Sequence, residues 1–190
     1  MRVSFANKLK TASSSELLKY AQSVESPDKL YQIATTVVDR SRDEAESANF
    51  KLSVSYIKLA LIKNEHSGRK ILKLFSTDRD PLVREEVVRC PRVPGCIINA
   101  MKNDASFEVA RSYPKAKNVS EEAVKIMADR IMSGDIDITD TALGEILLMV
   151  SDYVVSNLLT DKDVERLNKW VKRLESRFYE MEGYSCASHV

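Results

Sequence analysis

Apolar residues recur along most of this chain at steps of three and four, the spacing of one face of an α-helix. Leu17, Leu18, Ala21 and Val24 make the first such face. Ser13-Ser14-Ser15-Glu16 opens it with a capping box, in which a serine hydroxyl accepts a backbone N–H and the glutamate returns the bond. Leu30, Ile33, Ala34, Val37 and Val38 form a second stripe behind Ser26-Pro27-Asp28, an N-cap followed by a proline and an early acid that suits the helix dipole. The two predict an N-terminal helical hairpin over residues 1–49, with the polar run Arg40 to Glu46 extending the second helix or forming a solvated loop.

From Phe50 to Lys63 the pattern serves two periods. Phe50, Leu52, Val54 and Tyr56 alternate as in a strand, while Phe50, Val54, Ile57 and Leu61 fit a helix. The helical pattern downstream decides for helix. Further helices are predicted at about 68–75, 81–89, 95–103, 106–112 and 121–132, with Asp80-Pro81 and Ser120-Glu121-Glu122 as starts for two of them. Residues 143–159 are apolar nearly all round and predict a buried helix. From Asp161, Val164, Leu167, Val171, Leu174, Phe178 and Met181 follow at steps of 3, 4, 3, 4 and 3, an a/d heptad seam. That seam either packs on the helix before it or joins two copies as a homodimer. Gly183 stops it, and Tyr184 to Val190 read as a flexible tail.

Between Phe50 and Arg130 the chain repeats. Leu72-Lys73-Leu74-Phe75 leads to Asp78, Ile98-Asn99-Ala100-Met101 to Asp104 and Ala123-Val124-Lys125-Ile126 to Asp129, so the aspartates recur after 26 and 25 residues. A period of this length belongs to helical solenoids, whose neighbouring units bury one another's apolar faces. An aspartate at a helix end caps the next helix or pairs with a nearby arginine.

The run Asp78-Arg79-Asp80-Pro81-Leu82-Val83-Arg84-Glu85-Glu86-Val87-Val88-Arg89-Cys90-Pro91-Arg92-Val93-Pro94, followed by Ile97, Ile98 and Met101, resembles the leucine-rich repeat variant, a bacterial cousin of HEAT repeats. Val109-Ala110-Arg111-Ser112-Tyr113-Pro114 is a looser copy, and Leu59-Ala60 with Asn64 a degenerate first one. Cys90-Pro91 and Tyr113-Pro114 stand where the family has Asn-Pro, and the likeness covers about residues 54–130. It implies an all-α fold: a short right-handed HEAT-like α-solenoid over 50–134, with the N-terminal hairpin before it and a C-terminal helical cap at 135–183. It also implies a bacterial or phage protein that works by recognition. One association of the family is an iron–sulfur cluster, which needs four thiolates or substitutes. Cys90, Cys96 and Cys186 are three and scattered, so no cofactor is expected and the thiols are read as buried or idle.

Composition narrows the function classes. With 190 residues, 44% of them apolar and 30% charged, the chain is long enough for a core and predicts one or at most two domains. No apolar run reaches membrane-span length and Met1 to Phe5 lacks a signal-peptide pattern, so a cytoplasmic protein without a membrane partner is expected. The net charge of +1 hides a strong asymmetry. Lys51 to Lys117 holds 14 basic and 7 acidic residues, a net of +7, whereas Asn118 to Glu165 holds 3 basic and 11 acidic, a net of −8. Arg79, Arg84, Arg89, Arg92, Arg111, Lys115 and Lys117 are therefore the candidate binding residues, for an acidic protein or for the phosphates of duplex nucleic acid. Glu85, Glu86 and Glu108 intersperse them, and no aromatic platform for bases accompanies them.

Catalytic and metal signals are thin. His66 and His189 are the only histidines and neither forms a ligand pair or neighbours a nucleophile motif. Asp135, Asp137 and Asp140 resemble the opening of a calcium loop, but Asp140 and Ile146 occupy the positions that need glycine and a bidentate glutamate. The expectation is a non-enzymatic protein without metal that binds a partner protein as an adaptor or inhibitor, with duplex nucleic acid as the alternative ligand.

Overall fold

The computed structural model describes residues 4–43, 46–136, 138 and 141–181, and the side chains of 179–181 lie outside that description. The protein is all-α, with no strand among the described residues. In chain order the helices are α1 (Phe5–Thr11), α2 (Ser14–Ser23), α3 (Pro27–Arg42), α4 (Ala48–Lys63), α5 (Arg69–Phe75), α6 (Pro81–Arg89), α7 (Gly95–Ala100), α8 (Phe107–Ser112), α9 (Glu121–Ser133), α10 (Leu143–Val155) and α11 (Asp161–Met181). Short 3-10 turns, Met101–Asn103 and Tyr113–Lys115, extend α7 and α8. None of the described helices is long and apolar enough to cross a membrane.

Local chemistry accounts for most helix starts. Ser13 accepts from the Glu16 N–H while Glu16 accepts from the Ser13 N–H at 2.8 Å, the reciprocal capping box. Ser26, Ser47, Asp80, Ser106 and Ser120 cap α3, α4, α6, α8 and α9 in the same way from one side. Gly134 ends α9 at φ 86°, and its N–H and that of Asp135 return to the Arg130 carbonyl. Helix α10 stops at Val155, short of the predicted 159, because Asn157 takes a left-handed φ of 56° and Ser156 donates back to the Tyr153 carbonyl.

The chain divides into two compact units, Met1–Ile97 and Ile98–Val190. In the first, α2 packs on α4, α4 on α6 and α3 on α5, so alternate helices stack in two rows. Side chains stitch the rows by covering carbonyls at helix ends that have no partner inside their own helix. Arg40 donates to the Ala12 carbonyl beyond α1 at 2.7 Å. Asn64 donates to the Ala21 and Val24 carbonyls at the end of α2, at 2.9 and 3.0 Å, and Arg92 to the Ile62 carbonyl of α4 at 2.7 Å. In the second unit, α8 packs on α10, α9 on α11 and α10 on α11. Two buried phenols anchor it: Tyr113 donates to the Ile98 carbonyl at 2.7 Å and Tyr153 to the Ala110 carbonyl at 2.9 Å.

A strict period runs through the helix ends. Helical segments end at Lys63, Arg89 and Lys115, and the next begin at Arg69, Gly95 and Glu121, each 26 positions after the last. The core keeps the same step: Ile57, Val83 and Val109 are buried, as are Leu61, Val87 and Tyr113, Leu72, Ile98 and Val124, and Phe75, Met101 and Met127. Asp78 and Asp104 hold equivalent turns, each carboxylate accepting the N–H two residues on, from Asp80 at 3.1 Å and Ser106 at 3.0 Å. Asp129 does not belong to that series. It lies inside α9 and bonds Arg166 of α11 at 2.9 Å, so the third aspartate ties two helices and marks no helix end.

Candidate protein-docking face

Helix α4 carries more apolar residues than one stripe uses. Phe50, Val54, Ile57 and Leu61 are all buried, which resolves the double period in favour of helix. The surplus members of the strand-like pattern, Leu52 and Tyr56, are left 75% and 69% exposed one turn apart. On α6 the matching position, 26 residues after Tyr56, is Leu82, which is 50% exposed. The two helices run alongside each other: Ser55 in the middle of α4 donates to the Asp80 carboxylate at the start of α6, and Lys63 at the end of α4 meets Glu86 of α6 at 3.7 Å. Tyr56 and Leu82 follow directly on Ser55 and on Pro81, so the three apolar side chains occupy neighbouring turns.

Beside them lies a groove between α2 and α4 with a volume of about 470 Å³, lined by Ser14, Leu18, Asn49, Ser53, Tyr56 and Ile57. Single exposed leucines are ordinary, but an apolar cluster rimmed by polar groups next to a concavity is the usual form of a protein-contact surface. Glu16 stands in the first turn of α2. The Ser13 backbone N–H, helped by the Ser13 hydroxyl, holds its carboxyl below the usual carboxylate range, so it keeps its charge at neutral pH.

The seven basic residues singled out by sequence fall in both units. Arg79 is exposed in the turn before α6. Arg84 reaches back to the Asp78 and Arg79 carbonyls, at 2.8 and 3.1 Å, and Arg92 is the cation that covers the end of α4. Arg89 is exposed, 3.9 Å from the buried carboxylate of Glu85. In the second unit the Arg111 guanidinium lies over the Phe107 ring at 5.9 Å, Lys115 pairs with Asp152 at 2.6 Å and Lys117 is exposed. Arg84 and Arg92 thus work as backbone caps. Their partners sit up to 30 positions away, beyond what charge counting along the chain detects.

The heptad seam is partly covered within its own unit. Leu167 is buried, while Val164, Val171, Leu174 and Phe178 are half-buried on a helix that packs against α9 and α10; the Met181 side chain lies outside the described residues. Near its start, Asp163 is buried. The Thr160 hydroxyl at 2.6 Å, followed by the Lys125 ammonium at 3.5 Å, holds its carboxyl below the usual range. Helix α10 departs from the expected all-round burial: it buries Ile146, Met149, Val150 and Tyr153 but leaves Leu148 and Val155 largely exposed. Cys90 is buried and Cys96 exposed.

Among the described residues no group of three or more His, Cys, Asp or Glu is placed to hold a metal ion, and Asp137, Asp140, Cys186, His189 and the tail lie outside them. No family model, curated protein or solved structure matches this chain.

Proposed function

We propose that this chain is a non-enzymatic HEAT-like helical-repeat protein that binds a partner protein through the α4–α6 face. The observation that carries the reading is the cluster of Leu52, Tyr56 and Leu82 on adjacent turns of two parallel helices, beside the α2–α4 groove. The strict 26-residue recurrence of helix ends and buried positions, and the packing of alternate helices, support a short solenoid of paired helices. Such a partner presents apolar side chains, from an amphipathic helix or an extended segment, to the three exposed ones and to the groove. Adaptor and inhibitor are both uses of that one contact. Protein is favoured over duplex nucleic acid because Arg84, Arg92 and Lys115 are committed to contacts within the chain, which leaves at most four of the seven cations, Arg79 and Arg89 in one unit and Arg111 and Lys117 in the other, for an extended phosphate backbone.

The test is affinity capture with the full chain, with and without nuclease, compared with Leu52→Glu/Tyr56→Glu/Leu82→Glu and with Arg89→Glu/Lys117→Glu. The expected result is a stoichiometric protein held by the wild type and the charge variant and lost by the apolar-face variant. Retention by the apolar-face variant, or recovery of nucleic acid alone without nuclease, overturns the reading.

A further inference from the structure

A second concavity, independent of the docking face, lies where the end of α3, the middle of α4 and the turn after α5 converge. Its volume is about 540 Å³, and Ser41, Arg42, Lys58, Leu74, Asp78 and Arg79 are among its lining residues, with Val38 and Thr77. The chemistry of this cleft is one-sided. Three cations, Arg42, Lys58 and Arg79, face a single carboxylate, Asp78, a net of +2.

Asp78 has little left for a cationic ligand. Its Oδ2 meets the Lys58 ammonium at 2.7 Å, with both side chains over nine-tenths buried (9% and 8% exposed), and its Oδ1 accepts the Asp80 N–H at 3.1 Å. The buried pair neutralises itself, so the surplus charge belongs to the two arginines. Neither makes a side-chain hydrogen bond or ion pair with another described residue, and both are exposed at the rim. Their neighbours differ in this respect. Arg40, one half-turn earlier on α3, is committed to Glu46 at 2.6 Å, to the Ala12 carbonyl and to the Phe50 ring. Arg84 clamps the backbone of the turn that carries Arg79, so that arginine projects from a fixed base. Among the described acids near the two arginines in sequence, Asp43 has an interaction of its own, Asp80 accepts from Ser55 and from the Leu82 N–H, and Asp39 stands exposed three places before Arg42 on α3. Ser41 donates to the Val38 carbonyl at 2.7 Å, so anion recognition falls to the guanidinium groups.

We propose that this cleft binds a phosphomonoester dianion, its phosphoryl oxygens taken by Arg42 and Arg79 and its ester group lying against Val38 and Leu74. Planar guanidinium forks match phosphoryl oxygens in paired hydrogen bonds, and two of them balance a charge of about −2 at neutral pH. The volume exceeds what a bare phosphate fills and falls within the roughly 300–1,000 Å³ of small-ligand sites.

The experiment is calorimetric titration of the full chain with inorganic phosphate, phenyl phosphate, a phosphoserine peptide and its unphosphorylated form, and vesicles with and without a phosphomonoester lipid. Arg42→Gln and Arg79→Gln are measured alongside, with Arg89→Gln as an exposed control outside the cleft. Among the described residues the two arginines make no side-chain hydrogen bond or ion pair, so these variants are expected to keep the fold, checked by circular dichroism and melting. One-to-one saturable binding of phenyl phosphate is expected, weakened about tenfold or more by either cleft substitution and unchanged in Arg89→Gln. Preference for the phosphopeptide, the vesicle or the small ester identifies the source. No saturable binding of any phosphorylated probe, or equal binding by the cleft variants, overturns the proposal. Neither result touches the apolar docking face, whose capture test uses different residues.

Discussion

The Lys58–Asp78 pair offers a sharp energetic test of the fold, because both charges are removed from water and each is the other's main compensation. Removing one partner of a buried pair costs about 3–5 kcal/mol, since the survivor is left charged and unpaired. Asp78→Asn is the informative half. It keeps an oxygen for the Asp80 N–H, so the turn before α6 survives while Lys58 loses its counter-charge. Lys58→Met keeps the apolar stem that packs along α4 and strands the carboxylate. Either change is therefore expected to cost about 3 kcal/mol or more, which for a chain of 190 residues lowers the melting temperature by roughly 6–20 °C. The double variant removes both charges and places two neutral groups in contact, so its loss stays below about 1.5 kcal/mol. Urea melts of the four proteins give the coupling energy directly. If the double variant loses the sum of the two single losses to within about 0.5 kcal/mol, the charges do not compensate each other and the buried pair is no pair in solution.

Arg92→Ala is expected to destabilise the chain by about 1 kcal/mol, read from a thermal melt, because the Ile62 carbonyl loses its donor. Leu167→Ala, at the one fully buried position among the described residues of the heptad seam, is expected to cost about 2–5 kcal/mol, whereas Val171→Ala, half-buried, costs less; equal losses would mean that Val171 is as well covered as Leu167. Asp163 has its folded pKa below its unfolded value, so its contribution is complete above the ordinary carboxylate range and is lost as pH falls through the folded value. Asp163→Asn should then lower stability at neutral pH and flatten the acid limb of a melting-temperature profile. Burial pushes the Tyr113 and Tyr153 phenols up, with Tyr113 adding to the effect on Tyr153. Their stabilising share is present below the ordinary phenol value and is lost as pH rises past about 10, so Tyr153→Phe should flatten the alkaline limb.

What the sequence made legible was local. Ser13 with Glu16, Ser26 with Pro27, Asp80 with Pro81 and Ser120 all cap the helices their spacing announces, because a cap is written within four residues of the helix it starts. Helix α1 went unannounced: it is seven residues long and buries only Leu9, too little to make a stripe. The repeat was visible through its aspartates, but a surface turn is a looser ruler than the core: Asp129, 25 and not 26 positions after Asp104, lies inside α9 and bonds α11. The candidate docking face was present as an ambiguity. Leu52 and Tyr56 fitted the strand period, and on the helix they are the apolar residues that the buried stripe does not use.

Equivalent core positions 26 residues apart share their burial, and the polar contacts made at equivalent positions differ. Lys58, Arg84 and Ala110 stand 26 apart, yet each solves the same place differently. Lys58 reaches the Asp78 carboxylate from α4, Arg84 reaches the carbonyls of the same turn from α6, and Ala110 reaches nothing; its own carbonyl instead receives the Tyr153 hydroxyl. The turn at Asp104, with alanine where the arginine stood, takes its cation from further along the chain: Arg130 donates to the Asp104 carbonyl at 2.6 Å. Burial is thus held constant from copy to copy while the polar stitching varies, as expected when the core term is area and tolerates no gaps but a carbonyl accepts any donor that reaches it. The exposed positions vary most. Tyr56, Leu82 and Glu108 are equivalent, and the change from apolar to acidic confines the candidate face to the first two copies. The proposed recognition face thus falls where the copies differ, at exposed positions that the buried period leaves free to vary.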